Sequence, residues 1–174
     1  MTADEQFARA RAGDSAALAG LVREHQRSIY SIALRMLGSR EGAEDLTQEV
    51  FMQLSAKIGS IASSEHLRFW LRQVTANRAI DELRRRTRLH AVPLDEEPSL
   101  CHAAEYADPL LQRELGRLLA ELSAPARAVL LLRYQEDLDP VDIARALDMP
   151  INTVKSHLKR SLETLRSRCE VTAP

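Results

Sequence analysis

The chain of 174 residues is short of everything that punctuates or staples a fold: 6 glycines, 7 prolines, two cysteines and only 4% aromatic residues. Scarce glycine and proline argue against a turn-rich all-β chain. No β-branched alternation is long enough for a strand, so an α/β reading is poor as well. Cys101 and Cys169 offer no CxxC pair and no metal-ligand spacing; two unpaired thiols in a reducing cytosol account for them. No stretch approaches the roughly 18 apolar residues of a membrane span. The N-terminal run MTADEQFARARAGD carries acidic residues and no apolar h-region, which excludes a secretory signal as its reading. There is no nucleophile–base pair, metal cluster or phosphate loop in the sequence. No catalytic residue, metal or cofactor is therefore expected, and the chain does not read as an enzyme.

What is present favours helix. Ala, Leu, Arg and Glu dominate, and a balance of 45% hydrophobic to 28% charged residues is that of a globular protein. The net charge of −1 hides a strong segregation. Residues 66–88 hold seven arginines against Asp81 and Glu82, and residues 151–168 hold five basic residues against Glu163. Between them, residues 91–112 carry five acidic residues and no basic one. Two basic clusters flanking an acidic spacer suggest two contacts with one polyanion.

The spacer also divides the chain. Residues 91–109 contain three of the seven prolines and no persistent helical period, so they read as a flexible linker. The expected architecture is all-α: two small helical domains, 1–90 and 110–174, the second a helix-turn-helix. In the first, Gly13-Asp14-Ser15 reads as a turn and cap before a long periodic stretch to Leu37, and Gly38-Ser39 as a stop followed by a new cap. A helix then covers about 41–57 and another about 64–88. The second carries apolar residues on two sides, as a helix packed between neighbours would. In the second domain, Ser123 with Pro125 and Asp139 with Pro140 repeat one device, a capping side chain followed by proline in the first turn.

Residues 140–160, PVDIARALDMPINTVKSHLKR, meet the geometric demands of a helix-turn-helix. Ala144 is small where two helices must cross closely. Asp148, four positions later, tolerates the left-handed conformation that the turn needs. Val154 then locks the second helix. With Val154 inward, Asn152, Lys155, Ser156 and Lys159 face outward, presenting amide, hydroxyl and ammonium groups suited to bases and phosphates in a major groove. Arg160 and Arg166 flank them as phosphate contacts. The plainer alternative is a helical hairpin with a solvated basic face. In the helix at 41–57, Leu46, Val50 and Leu54 face inward, leaving Asp45, Gln48, Glu49 and Met52 outside. Such a face is either simply solvated or suited to a partner helix.

Three stretches, in order and with matching gaps, resemble bacterial RNA polymerase sigma factors of the extracytoplasmic-function (ECF) group. EGAEDLTQEVFMQL (41–54) resembles the core-polymerase-binding helix, and FWLRQVTANRAIDELRRRTR (69–88) the promoter-melting and recognition helix. LSAPARAVLLLRYQEDLDPVDIARALDMPINTVKSHLKRSLETLR (122–166) resembles the C-terminal helix-turn-helix domain. The resemblance implies that Asp45, Gln48, Glu49 and Met52 dock on the β′ clamp of core polymerase, with Phe51 either in that contact or in the core. It implies that Trp70, Arg72, Asn77, Arg78, Arg84, Arg85 and Arg88 meet the minus-ten element, where a strand is opened and a base held out of the stack. Trp70 is equally a core residue on this reading. The loop from Lys57 to His66 falls where the family captures that base. Asn152, Thr153, Lys155, Ser156, Lys159 and Arg160 would read the minus-thirty-five element.

The partners implied are core polymerase (β′ clamp and β subunits), promoter DNA and an anti-sigma factor, in the cytoplasm. The sequence departs from the family at Asp148 for the usual glycine, Pro150 for the usual capping serine, and His157 where arginine is common. The competing readings are a stand-alone LuxR-type regulator, whose N-terminal receiver would need strands within 1–90, and a helical interaction module.

Overall fold

The structure, a computed structural model, describes residues 2–89 and 109–172. Among them every regular element is helical: α1 (Ala3–Arg11), α2 (Ser15–Leu37), α3 (Arg40–Lys57), a 3₁₀ turn (Ile58–Ser60), α4 (Ser64–Leu89), α5 (Pro109–Ala120), α6 (Ala124–Tyr134), α7 (Pro140–Ala146) and α8 (Ile151–Thr172). The expected linker lies outside the described residues, apart from Pro109, which opens α5.

The predicted caps are where the sequence places them. The Asp14 carboxylate accepts from the N–H groups of Ala16 and Ala17 at 2.9 and 3.0 Å. These bonds, with Arg9 beside it, hold the Asp14 carboxyl below its ordinary range. Gly38 ends α2 in the left-handed region (φ 72°), and Ser39 caps α3. Ser123 and Asp139 cap α6 and α7, each followed by a proline in the first turn. Asp148 adopts φ 49°, so an L-residue does hold the left-handed turn between α7 and α8. Pro150 does not displace the last helix, which starts at Ile151; the Pro150 carbonyl accepts from the Thr153 and Val154 N–H groups.

Helix α1 is an addition to the sequence reading, which assigns no helix ahead of the Gly13-Asp14-Ser15 turn. Thr2 and Glu5 form a capping box, and Phe7 and Ala10 are buried. The predicted inward faces are buried for Leu46, Val50 and Leu54 on α3 and Val154 on α8; of the two apolar stripes on α4, Leu67, Leu71, Ala76 and Ile80 are buried, while Phe69, Val74 and Leu83 are partly buried against the core. Each large apolar side chain so enclosed contributes about 1.5–3 kcal/mol relative to exposure. Helix α4 is sandwiched as its two apolar stripes require. It meets α2 and α3 on one side and α6 and α7 on the other.

That second contact carries the main architectural finding: the two helical groups are packed against each other. The buried Arg127 on α6 donates to the carbonyl oxygen of Met36 at the end of α2. The same guanidinium donates to Ala120 O at 3.1 Å and Leu122 O at 3.4 Å. Burial pushes its pKa below the ordinary arginine value.

Candidate nucleic-acid interface and docking face

Helix α3 presents the face that the sequence singles out. Asp45, Gln48 and Glu49 are exposed, and Met52 is 72% exposed. Gln48 and Glu49 lie one turn from this open methionine and Asp45 two, giving the face the mixed apolar and acidic character that a partner helix can use. Phe51 turns the other way and packs half-buried on the core. The face is continuous with α4, because Arg78 reaches Glu49 at 2.8 Å across both helices. The docking candidates and the minus-ten candidates thus share an edge rather than lying on separate sides.

The arginines of α4 do not form one uniform track. Arg85 and Arg86 both hold the Glu82 carboxylate, at 2.9 Å each. Their hydrogen bonds keep the Glu82 carboxyl below its ordinary range. Arg84 and Arg88 are exposed, and Trp70 is half-buried against the core. Arg72 and Asn77 turn toward the second domain. The Arg72 Nε donates to Glu136 at 2.7 Å, and the Asn77 amide donates to the Ala146 carbonyl at 2.9 Å. The loop ahead of α4 is pinned from below by buried Ile58 and Ile61, while Gly59, Ser60, Ala62 and Ser63 stay exposed. It is closed by two local bonds, from the His66 N–H to Ser63 Oγ (3.1 Å) and from the Ala62 N–H to His66 Nδ1 (3.3 Å).

The first turns of α8 are built differently. Asn152, Thr153, Lys155, Ser156, Lys159 and Arg160 are all exposed on the side opposite buried Val154. Among the described residues none of the three cations has an ion-pair partner. They are open to a polyanion without a bond first being broken.

Comparison with known proteins gives the family. Residues 21–89 match the family model for sigma-70 region 2, and residues 112–165 match that for sigma-70 region 4. Together these ranges cover well over half the chain. The ECF RNA polymerase sigma factor SigL of Mycobacterium tuberculosis is 34% identical over 169 residues, covering 90% of this chain and 91% of that one. The chain is a sigma-70 family protein of the ECF group. This sigma factor is also 26% identical to SigW of Bacillus subtilis over 97% of both chains. Its fold matches that of the sigma factor RpoE of Bartonella quintana, solved in complex with the anti-sigma factor NepR. That match has a TM-score of 0.74 at 24% identity and covers 89% of this chain and 98% of that one. A LuxR-type regulator is not favoured: among the described residues of the first half there is no strand from which a receiver could be built.

The sequence reading missed the residues that join the halves: Ser28, Arg35, Arg127, Gln135 and Glu136. Their partners lie 64 to 108 positions away along the chain, and no local pattern marks them.

Proposed function

We propose that this sigma factor uses the exposed α3 face as its polymerase dock, α4 with the preceding loop as its minus-ten reader, and the start of α8 as its minus-thirty-five reader. As a transcription initiation factor it directs core RNA polymerase to promoters. The observation that carries the assignment of faces is the contrast on α3: Asp45, Gln48, Glu49 and Met52 are exposed, while Leu46, Val50 and Leu54 are buried. A helix with a rigidly buried back and an acidic, Met-bearing front is suited to a basic helical partner such as a polymerase clamp. On this reading the domains run 1–90 and 110–174, joined by 91–109, and the factor acts by recruitment in the cytoplasm rather than by catalysis. The linker then sets an effective concentration of one domain near its promoter element once the other is bound. An anti-sigma factor, of the kind found in the structure of the Bartonella relative, is the expected regulator.

The test is co-purification of the tagged protein with bacterial core polymerase, beside the Asp45→Arg/Glu49→Arg variant. Stoichiometric capture by the wild type, lost in a variant that keeps its helical circular dichroism, supports the dock. Equal capture by both moves the polymerase contact to another face.

A further inference from the structure

Helix α1 does more than lengthen the first domain. Phe7 and Ala10 bury its inner face, and two side-chain bonds tie it to α2. Gln6 Nε2 donates to the Ala17 carbonyl at 3.3 Å, and Arg9 Nε donates to the Asp14 carboxylate at 2.9 Å. Gly20 leaves room for the first of these, since a Cβ there would collide with the Gln6 amide. So fixed, α1 also meets the 3₁₀ turn and α4, the elements on either side of the loop read above as capturing the minus-ten base. That loop is shaped by local bonds: Ser60 Oγ donates to the Lys57 carbonyl at 2.7 Å, and Ala62, Ser63 and His66 bond among themselves. Such bonds set its shape but not its place. One bond leaves it. Ser64, the first residue of α4, donates from Oγ to Asp4 Oδ1 at 2.5 Å, within the range of a hydroxyl–carboxylate bond. The Asp4 carboxylate, in the first turn of α1, thus also stands at the first turn of α4, and both helix ends favour its negative charge.

A loop free to adapt accepts several bases, whereas a loop held in place penalises the wrong one. Holding it beforehand also removes the cost of ordering it when the strand arrives. A bond from the edge of the loop to a helix anchored 60 positions earlier in the chain supplies that hold. We propose that Asp4 is a positioning residue for minus-ten reading: through Ser64 it fixes the end of the loop on α1 and so sharpens the choice of base. The proposal rests on the reading that the loop captures the base. Asp4 itself touches no DNA in this role. Its removal broadens the base preference of the loop and leaves the minus-thirty-five preference of α8 as it was.

The experiment uses the full chain reconstituted with bacterial core polymerase. The holoenzyme transcribes a promoter pool randomised at both elements, and the transcribed members are sequenced. Asp4→Ala and Ser64→Ala each remove the bond. Asp4→Asn keeps an acceptor for the Ser64 hydroxyl, and Ser64→Thr keeps the donor. For the two alanine variants, the ratio of preferred to next-best base at a minus-ten position should fall about fivefold, the worth of one hydrogen bond, with minus-thirty-five ratios within about twofold of wild type. Asp4→Asn and Ser64→Thr should recover most of the ratio. Should Asp4→Ala loosen α1, Ser64→Ala, which leaves α1 whole, decides alone. Less transcript with unchanged base ratios marks a merely structural bond and overturns the proposal, as does an equal broadening at both elements. Ala62→Arg, on the exposed part of the loop, tests the underlying reading separately. If it shifts the minus-ten preference and the alanine variants do not, Asp4 has no positioning role and the loop remains the reader. If none of them shifts it, the loop does not capture the base, and the role of Asp4 falls with it.

Discussion

Helices α4 and α8 carry similar excesses of positive charge, yet they hold it in different ways. On α4 most of the arginines are already committed: Arg72 to Glu136, Arg78 to Glu49, Arg85 and Arg86 to Glu82. On the first turns of α8, Lys155, Lys159 and Arg160 stand in solvent with Val154 locked behind them. The same local charge is therefore a poised set of exchangeable pairs in one helix and an open surface in the other. Composition alone makes the two clusters look alike; their neighbours make them different.

The largest test of the difference is charge reversal on the open helix. Lys155→Glu/Lys159→Glu is expected to cut promoter-directed transcription by the reconstituted holoenzyme on the order of 100-fold, with polymerase capture unchanged. The affinity that remains should depend less steeply on salt, since phosphate contacts are gone. A loss smaller than about fivefold would move the minus-thirty-five contact off this face. Next in size is the joint that brings the committed helix under its cover. Arg127→Met strips Met36, Ala120 and Leu122 carbonyls of their donor, and should lower the urea-unfolding free energy by about 2 kcal/mol. An unchanged unfolding midpoint would mean the two halves do not stabilise each other.

Smaller still, Arg85→Ala should change promoter-directed transcription by less than about threefold, because Glu82 already balances that charge on an exposed helix face. A loss matching that of the α8 reversal would erase the distinction. The smallest effect concerns His25 on α2. Burial lowers its pKa from the ordinary 6.5, with Glu24 pulling it upward and Arg68 and Arg72 pushing it further down. The unfolded chain therefore binds its proton first. The stability contributed by neutral His25 is complete above its ordinary pKa and is lost as pH falls through the lower folded value. Between about pH 7 and pH 5, His25→Gln should flatten the fall in thermal midpoint relative to wild type. An equal fall in both proteins would assign the acid sensitivity elsewhere.

How much of this was legible in the sequence follows from distance along the chain. Caps at Asp14, Ser39, Ser123 and Asp139, the left-handed Asp148 and the inward Val154 each obey rules that act within one or two turns, and the structure has them all. Helix α1 was locally encoded as well, by the Thr2–Glu5 box, but its apolar content is only Phe7 and small residues, too little for periodicity to register. The outward faces of α3 and α8 follow from their inward ones. The fate of Arg72 and Asn77 does not. An arginine on a helix reads as available for phosphate unless one knows that a carboxylate 64 residues later folds back onto it.

That separation has a meaning in time. At about 5–20 residues per second, a chain being synthesised needs on the order of 3–13 s to pass from Arg72 to Glu136. For that interval the first half of the newborn protein has made α4 and has nothing to lay over it. The surface left bare includes Ser28, Arg35, Arg72 and Asn77, groups that water satisfies well. A wholly greasy joint in the same place would expose the growing chain to aggregation, so these polar groups also serve the protein before it is finished.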